Sequence, residues 1–200
     1  MIAILDYGSG NLRSAQRAFE RSGAEVVVTS DREIALNAAG LVVPGVGAFA
    51  ACMSGLVAIG GDEIVRARVA AKRPTLGICV GMQILFRDGD EHTTSDLHQG
   101  VGIWQASISK LAAPILPHMG WNTVSITGNS NLFHGVEDQA FYFVHSYAAK
   151  ASVGFTQAWT THGEKFLSAV EDGAICATQF HPEKSGDAGL ALIQNWVGML

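Results

Sequence analysis

No cluster of lysines and arginines occurs anywhere in these 200 residues, and the formal net charge is -5. Nucleic-acid binding draws most of its affinity from cations set against phosphates, so a nucleic-acid partner is not expected. The lone pair Lys72-Arg73 reads as a solvated helix end. Cysteine is scarce as well. Cys52, Cys79 and Cys176 are odd in number, and no two stand as C-x-x-C. That fits a reducing, cytoplasmic setting better than a disulfide framework and gives no support to a zinc or thioredoxin-like site. No basic segment precedes the apolar run Ile2 to Leu5, which meets Asp6 at once, so a signal peptide is not expected.

Long unbroken hydrophobic runs are missing too. Residues 34–61 carry no charge, but Pro44, Gly45, Gly47, Gly55, Gly60 and Gly61 interrupt them, and no basic flank or aromatic belt frames them. The segment reads as a buried strand, a glycine loop and a buried helix, with no membrane partner. Asp6 to Arg13 offers Gly8-x-Gly10 without a third glycine, a poor dinucleotide site.

What is present is ordinary globular composition, 48% hydrophobic and 16% charged, sized for a single domain spanning 1–200. Strand and helix patterns alternate through the first half: strands at 2–5, 25–29, 41–43 and 74–78, helices at 11–21 and 62–71. Such alternation predicts a parallel sheet covered on both faces. From Val101 to Val170 the pattern turns to short β-like stretches, at 101–103, 121–127, 140–147 and 155–160. A strand over 174–180 and a helix over 186–197 close the chain. The expected fold is α/β, a mostly parallel central sheet flanked by helices, with added antiparallel strands.

Gly77-Ile78-Cys79-Val80-Gly81 fits G-x-C-x-G, the cysteine form of the nucleophile elbow. A strand must turn sharply into a helix, leaving the nucleophile at a strained apex between glycines that let backbones pass closely. A helix over Met82 to Phe86 is expected to follow, its start favouring a thiolate. The Val80 N–H is then placed as one oxyanion donor. Cys52 and Cys176 lack this context and read as core.

A base is offered by Gln179-Phe180-His181-Pro182-Glu183, which follows a strand. In an extended segment, stiffened by Pro182, residues i and i+2 share a face, so Glu183 can hold the His181 imidazole. Cys79, His181 and Glu183 make a triad by role. Pro44-Gly45-Val46-Gly47 also follows an apolar strand and can turn an N–H of Val46 or Gly47 toward an oxyanion. Its glycines allow a peptide to rotate, with the Val46-Gly47 peptide the first candidate for a switch that faces a carbonyl inward at rest. A packed cysteine in a turn, a capping His-Pro turn and a plain tight turn are the bland readings of these three motifs. His92, His98, His134 and His162 read as surface residues, and neither His118 nor His145 has metal-ligand spacing, so no metal or other cofactor is expected.

These segments, with Asp6-Tyr7-Gly8-Ser9-Gly10-Asn11, Pro117-His118-Met119-Gly120-Trp121-Asn122 and Phe143-Val144-His145-Ser146-Tyr147, resemble class I glutamine amidotransferases over essentially the whole chain. The resemblance implies their flavodoxin-like fold and a glutaminase. Cys79 would form a γ-glutamyl thioester, His181 would protonate the leaving ammonia and then activate water, and Glu183 would orient His181. Gln83, Gly47, Ser146 and Tyr147 match glutamine-holding positions. The last two segments are most similar to members that pass ammonia to a separate (β/α)8-barrel cyclase subunit as a heterodimer. Met119, Trp121, Tyr142 and Lys184 match positions facing that partner, as does Asn11. The stretch Trp104 to Leu116 departs from the family pattern in being more apolar. Another glutaminase of the class, or a cysteine-elbow hydrolase or redox protein on a similar fold, stays open at this point.

Overall fold

The computed structural model describes residues 1–93 and 96–200. Its centre is an eight-stranded sheet. Five strands are parallel: β1 (Ile2–Leu5), β2 (Val26–Thr29), β3 (Gly40–Gly45), β4 (Thr75–Cys79) and, from the far end of the chain, a strand at Ile175–Thr178. Every residue of β1, β3, β4 and the late strand is buried. This is why these segments read as continuous apolar runs, whereas an exposed face would alternate. The connecting helices are α1 (Leu12–Arg21), α2 (Arg32–Asn37), α3 (Phe49–Ala58), α4 (Gly61–Ala70) and α5 (Val80–Gln83), with α6 (Gly186–Val197) closing the chain. Asn11 caps α1 and Asp31 caps α2, each through a side-chain oxygen. Phe19 of α1 meets Trp196 of α6 edge to face at 5.7 Å.

Between β4 and the late strand the chain adds β5 (Phe86–Gly89), β6 (His98–Gln99), β7 (Trp104–Lys110), β8 (His118–Thr123), β9 (Ser125–Thr127), β10 (Ala140–His145), β11 (Tyr147–Ala149), β12 (Thr156–His162) and β13 (Glu164–Asp172). The strand at Ile175–Thr178 is therefore β14. The main sheet runs β2-β1-β3-β4-β14-β13-β12-β9, its last three strands antiparallel. β11-β7-β5-β6 and the ribbon β10-β8 form two smaller sheets. The expected mostly parallel sheet with antiparallel additions is what folds, in the doubly wound order 2-1-3-4-5 if β14 counts as the fifth strand.

Several expectations are corrected. The helix after Cys79 ends at Gln83; Phe86 to Gly89 is strand β5, because it pairs with β7 and Phe86 packs on Trp104 at 5.1 Å. Sheet pairing and an aromatic contact outweigh the local helical pattern. Residues 101–103 form no strand; the more apolar stretch that follows is β7. Helix α2 and the nine-residue β13 carry no strong pattern and were not expected. His98 and His162 are half-buried, whereas His92 and His134 are exposed as expected.

One buried cation sets the amino ends of the strands. Arg68 on α4 is fully buried and donates to the carbonyls of Ala35, Leu36, Ala38 and Pro74 at 2.7–3.0 Å. These precede β3 and β4, so the strands enter the sheet from a fixed base. The carboxyl ends are left for chemistry, as is general in open α/β sheets.

Candidate active site

Four carboxyl ends meet: β1 leads into Asp6-Tyr7-Gly8-Ser9, β3 into Val46-Gly47, β4 into Cys79, and β14 into Gln179 to His181. Cys79 sits at φ 57 and ψ -115, a conformation that side-chain-bearing residues rarely adopt. The glycines around it have no alternative. A Cβ on Gly81 would lie 1.9 Å from the Val43 carbonyl oxygen, and one on Gly45 would lie 2.4 Å from the Gly81 nitrogen. The elbow is thus a close crossing of the bare β3 and α5 backbones, with Cys79 at its apex.

His181 is fixed at both ends of its residue. Its N–H donates to the Tyr142 carbonyl at 2.9 Å, and its carbonyl accepts from Ser185 Oγ at 2.7 Å. Residues Pro182 to Lys184 form a single 3-10 turn where an extended segment was expected. Proline suits the first position of such a turn, since its missing N–H has no partner there anyway. Glu183 still reaches back: its Oε1 lies 2.7 Å from His181 Nδ1, with both side chains buried. Nδ1 therefore carries the proton toward the carboxylate, and Nε2 is left for the cavity. Burial works against charge on His181, but bonding to Cys79 and Glu183 overcomes it and raises the imidazole pKa to about 9.

A cavity of about 260 Å³ opens over Cys79. Of the residues expected in the site, Val46, Gly47, Cys79, Val80, Gln83, Ser146, Tyr147 and His181 all line it. Glu183 stands behind His181 at a smaller cavity shared with Asn11. Lys184 also reaches the rim of the main cavity. Gln83 is buried and donates to the Tyr147 carbonyl at 2.8 Å and to Gln179 Oε1 at 3.1 Å, so its role is at least partly to hold the cavity wall. Sequence reasoning missed three lining residues, Glu91, Val144 and His145. Glu91 Oε2 accepts the Phe49 N–H at the start of α3. It lies in a polar loop with no pattern around it, and only the fold brings it to the cavity.

The glycine loop is held from behind. The Val46 N–H donates to Ser9 Oγ at 3.1 Å, and the Val46 carbonyl accepts from Ser9 Oγ at 2.8 Å and Cys52 Sγ at 3.3 Å. Tyr7 donates its hydroxyl proton to the Pro44 carbonyl. Cys52 is core, as expected, yet it also braces this loop. Cys176 is core alone, and burial pushes its thiol up to about 12.

Of the residues matched to a partner face, Met119 and Trp121 on β8 are 63% and 58% exposed. Trp121 meets the half-buried Tyr142 edge to face at 6.0 Å. Asn11 and Lys184 are exposed.

The family model for class I glutamine amidotransferases matches residues 3–198. The chain belongs to this family. Among curated relatives of this amidotransferase, the imidazole glycerol phosphate synthase subunit HisH of Mycobacterium tuberculosis is 58% identical over 200 residues, covering 98% of this chain and 96% of the relative. The HisH subunit of Corynebacterium diphtheriae is 55% identical, covering 100% and 99%. Among solved structures, a crystal structure of a glutamine amidotransferase superposes with a TM-score of 0.74 at 18% identity, over 98% of both chains. PurLQS from Thermotoga maritima superposes at 0.70 with 16% identity, over 99% of this chain and 97% of that one. At such identities the structures bear on the amidotransferase fold alone.

Proposed function

We infer that this chain is the glutaminase subunit of an imidazole glycerol phosphate synthase, acting in histidine biosynthesis. The observation that carries the reading is Cys79, His181 and the His181–Glu183 pair at one cavity, in a chain 58% identical to HisH subunits over almost its full length. The Cys79 thiolate adds to the side-chain carbonyl carbon of glutamine. His181 gives its proton to the amide nitrogen, the C–N bond breaks, and ammonia leaves a γ-glutamyl thioester. His181 then takes a proton from water, the hydroxide attacks the thioester, and glutamate departs as the thiolate returns. Gln83, Ser146 and Tyr147 hold the glutamine, and the Glu91 carboxylate has the charge to receive its α-ammonium group.

The oxyanion hole takes one donor from Val80 and a second from the glycine loop. The Val46 N–H is bonded to Ser9, and rotation of the Gly45–Val46 peptide would free it for the hole. The Val46–Gly47 peptide, expected on sequence to face its carbonyl into the hole at rest, instead turns it to Ser9 and Cys52. Low activity of the subunit alone follows, with its partner and the partner's ligand favouring the rotated form.

The partner is a cyclase subunit, taken to be a (β/α)8 barrel, that converts a phosphoribulosyl formimino intermediate with ammonia into imidazole glycerol phosphate and an aminoimidazole carboxamide ribotide. It docks on Met119, Trp121, Tyr142, Lys184 and Asn11, since exposed apolar groups of this size mark interaction sites. The whole chain works as one domain in the cytoplasm; among the described residues no helix is long and apolar enough to cross a membrane. The test measures glutamate release and product formation with glutamine or ammonium as donor, with and without the cyclase. Cys79→Ala should lose the glutamine-driven reaction and keep the ammonium-driven one. Loss of both in an assembled complex refutes the division of labour.

A further inference from the structure

The ribbon β8-β10 has two faces with different contents. Met119 and Trp121 point out, and on the other face His118 and His145 lie directly paired and buried. His118 is stacked between Phe143 at 4.7 Å and His162 at 4.3 Å. Three hydrogen bonds run through the pair, and a fourth meets them at the Tyr147 carbonyl. Asn122 Nδ2 lies 3.2 Å from His118 Nε2, His118 Nδ1 lies 3.1 Å from His145 Nε2, His145 Nδ1 lies 3.0 Å from the Tyr147 carbonyl, and Gln83 Nε2 lies 2.8 Å from that same carbonyl.

The acceptors decide every proton. A carbonyl only accepts, so His145 carries its proton on Nδ1. Its Nε2 is then an acceptor, so His118 also carries its proton on Nδ1. The His118 Nε2 in turn accepts from the Asn122 amide. The Asn122 orientation is fixed independently, because its second N–H donates to the Thr161 carbonyl at 3.1 Å and its oxygen accepts the Thr123 N–H at 2.9 Å. Both rings are neutral in this pattern. Burial favours that state, lowering His118 to about 4 and His145 to about 3. His162 and, for His145, His181 are the charged or titratable neighbours that add to the effect.

The Tyr147 carbonyl is also where the glutamine cavity is braced, through Gln83, Gln179 and on to Cys79 Sγ, 3.9 Å from Gln179 Nε2. We propose that His118 and His145 are positioning residues, a tautomer-locked relay that ties the outward face of β8 to the glutamine-holding wall at Tyr147 and Gln83. A partner seated on Met119 and Trp121 shifts β8, and the shift reaches the Tyr147 carbonyl through two rigid rings where flexible side chains would absorb it. The proposal rests on the glutaminase reading above.

His118→Phe tests it, because phenylalanine keeps the stack between Phe143 and His162 and removes both bonds. In the complex, we expect the factor by which the cyclase raises glutamine turnover to fall about fivefold or more, the range of a real coupling. Glutamine KM rises with it, while ammonium-driven product formation is unchanged. His118→Asn, whose amide N–H can stand where Nδ1 stood, restores part of the factor. An unchanged factor in folded His118→Phe overturns the relay. Nitrogen chemical shifts of the isotope-labelled imidazoles, measured on the unsubstituted chain, report the tautomers without any assay. An Nε2-protonated His145 overturns the proposal as well. If the unsubstituted chain with its cyclase fails to hydrolyse glutamine, the glutaminase reading fails, and the tautomers are still decided by those shifts.

Discussion

His181 and the pair His118–His145 are all buried, and burial alone would strip the charge from each. In the inner pair it does: the rings see one carbonyl, an amide, the His162 ring and each other, and both pKa values drop. At His181 a carboxylate 2.7 Å away and the Cys79 sulfur reverse the outcome, and the value rises. The same side chain thus serves two purposes within neighbouring parts of one fold. A charged acid–base group needs a fixed counter-charge. A neutral connector needs acceptors that leave each proton one place to sit.

The sharpest way to break the comparison is to remove the charged member. His181→Ala should lower glutamine turnover on the order of 10⁴-fold or more, nearly as far as Cys79→Ala, because both lie on one proton path. Steady-state glutamate release in the complex measures it. Glu183→Gln should cost less, about 10²-fold, at the low end of what positioned acid–base groups contribute. The amide still orients the ring but no longer holds its charge, so the His181 pKa read by NMR titration should fall. A larger loss for Glu183→Gln than for His181→Ala would invert the assigned roles.

Next in size is the partner face. Trp121→Ala should weaken cyclase binding by about 2 kcal/mol, roughly 30-fold in Kd, as aromatic anchors commonly do. Calorimetry gives the affinity, and circular dichroism should find the lone subunit folded. Unchanged affinity removes Trp121 from the interface.

The smallest effect expected is on stability against pH, and it separates the two environments by sign. His118 and His145 titrate near 6.5 when unfolded and near 4 and 3 when folded, so the unfolded chain takes up protons first. They cost stability as pH falls from about 6.5. His181 has the opposite shift: its contribution is complete below about 6.5 and is lost as pH rises through about 9. Melting temperatures should therefore fall on both sides of neutrality. His118→Phe should flatten the acid limb and Glu183→Gln the alkaline limb.

How much of this was legible in the sequence depends on how local each signal is. The elbow at Cys79, the His181–Glu183 pair and the loop at Val46 each lie within five residues, and all three could be read. The helix over Gly186–Val197 was legible to the residue because its start and its pattern are local too. Glu91 could not be found, since its place depends on how a polar loop is carried against α3. The inner histidines could be seen as members of family motifs, but their pairing depends on the register of β8 against β10, which sequence spacing does not specify. Phe86 misled because its strand is made by partners more than ten residues away.

The place of β14 between β4 and β13 has a consequence for synthesis. β4 ends at Cys79, and the strand that covers its open edge ends at Thr178, so about a hundred residues must emerge from the ribosome before the two can pair. Until then Cys79 hangs on an unprotected strand edge, the kind of surface that recruits other nascent chains. His181 arrives three residues after the covering strand ends, so the Cys79 thiol has neither shelter nor its imidazole neighbour until the same late moment. A chain stalled before β14 should need a chaperone and should be unable to release ammonia, which keeps unfinished copies from spending glutamine.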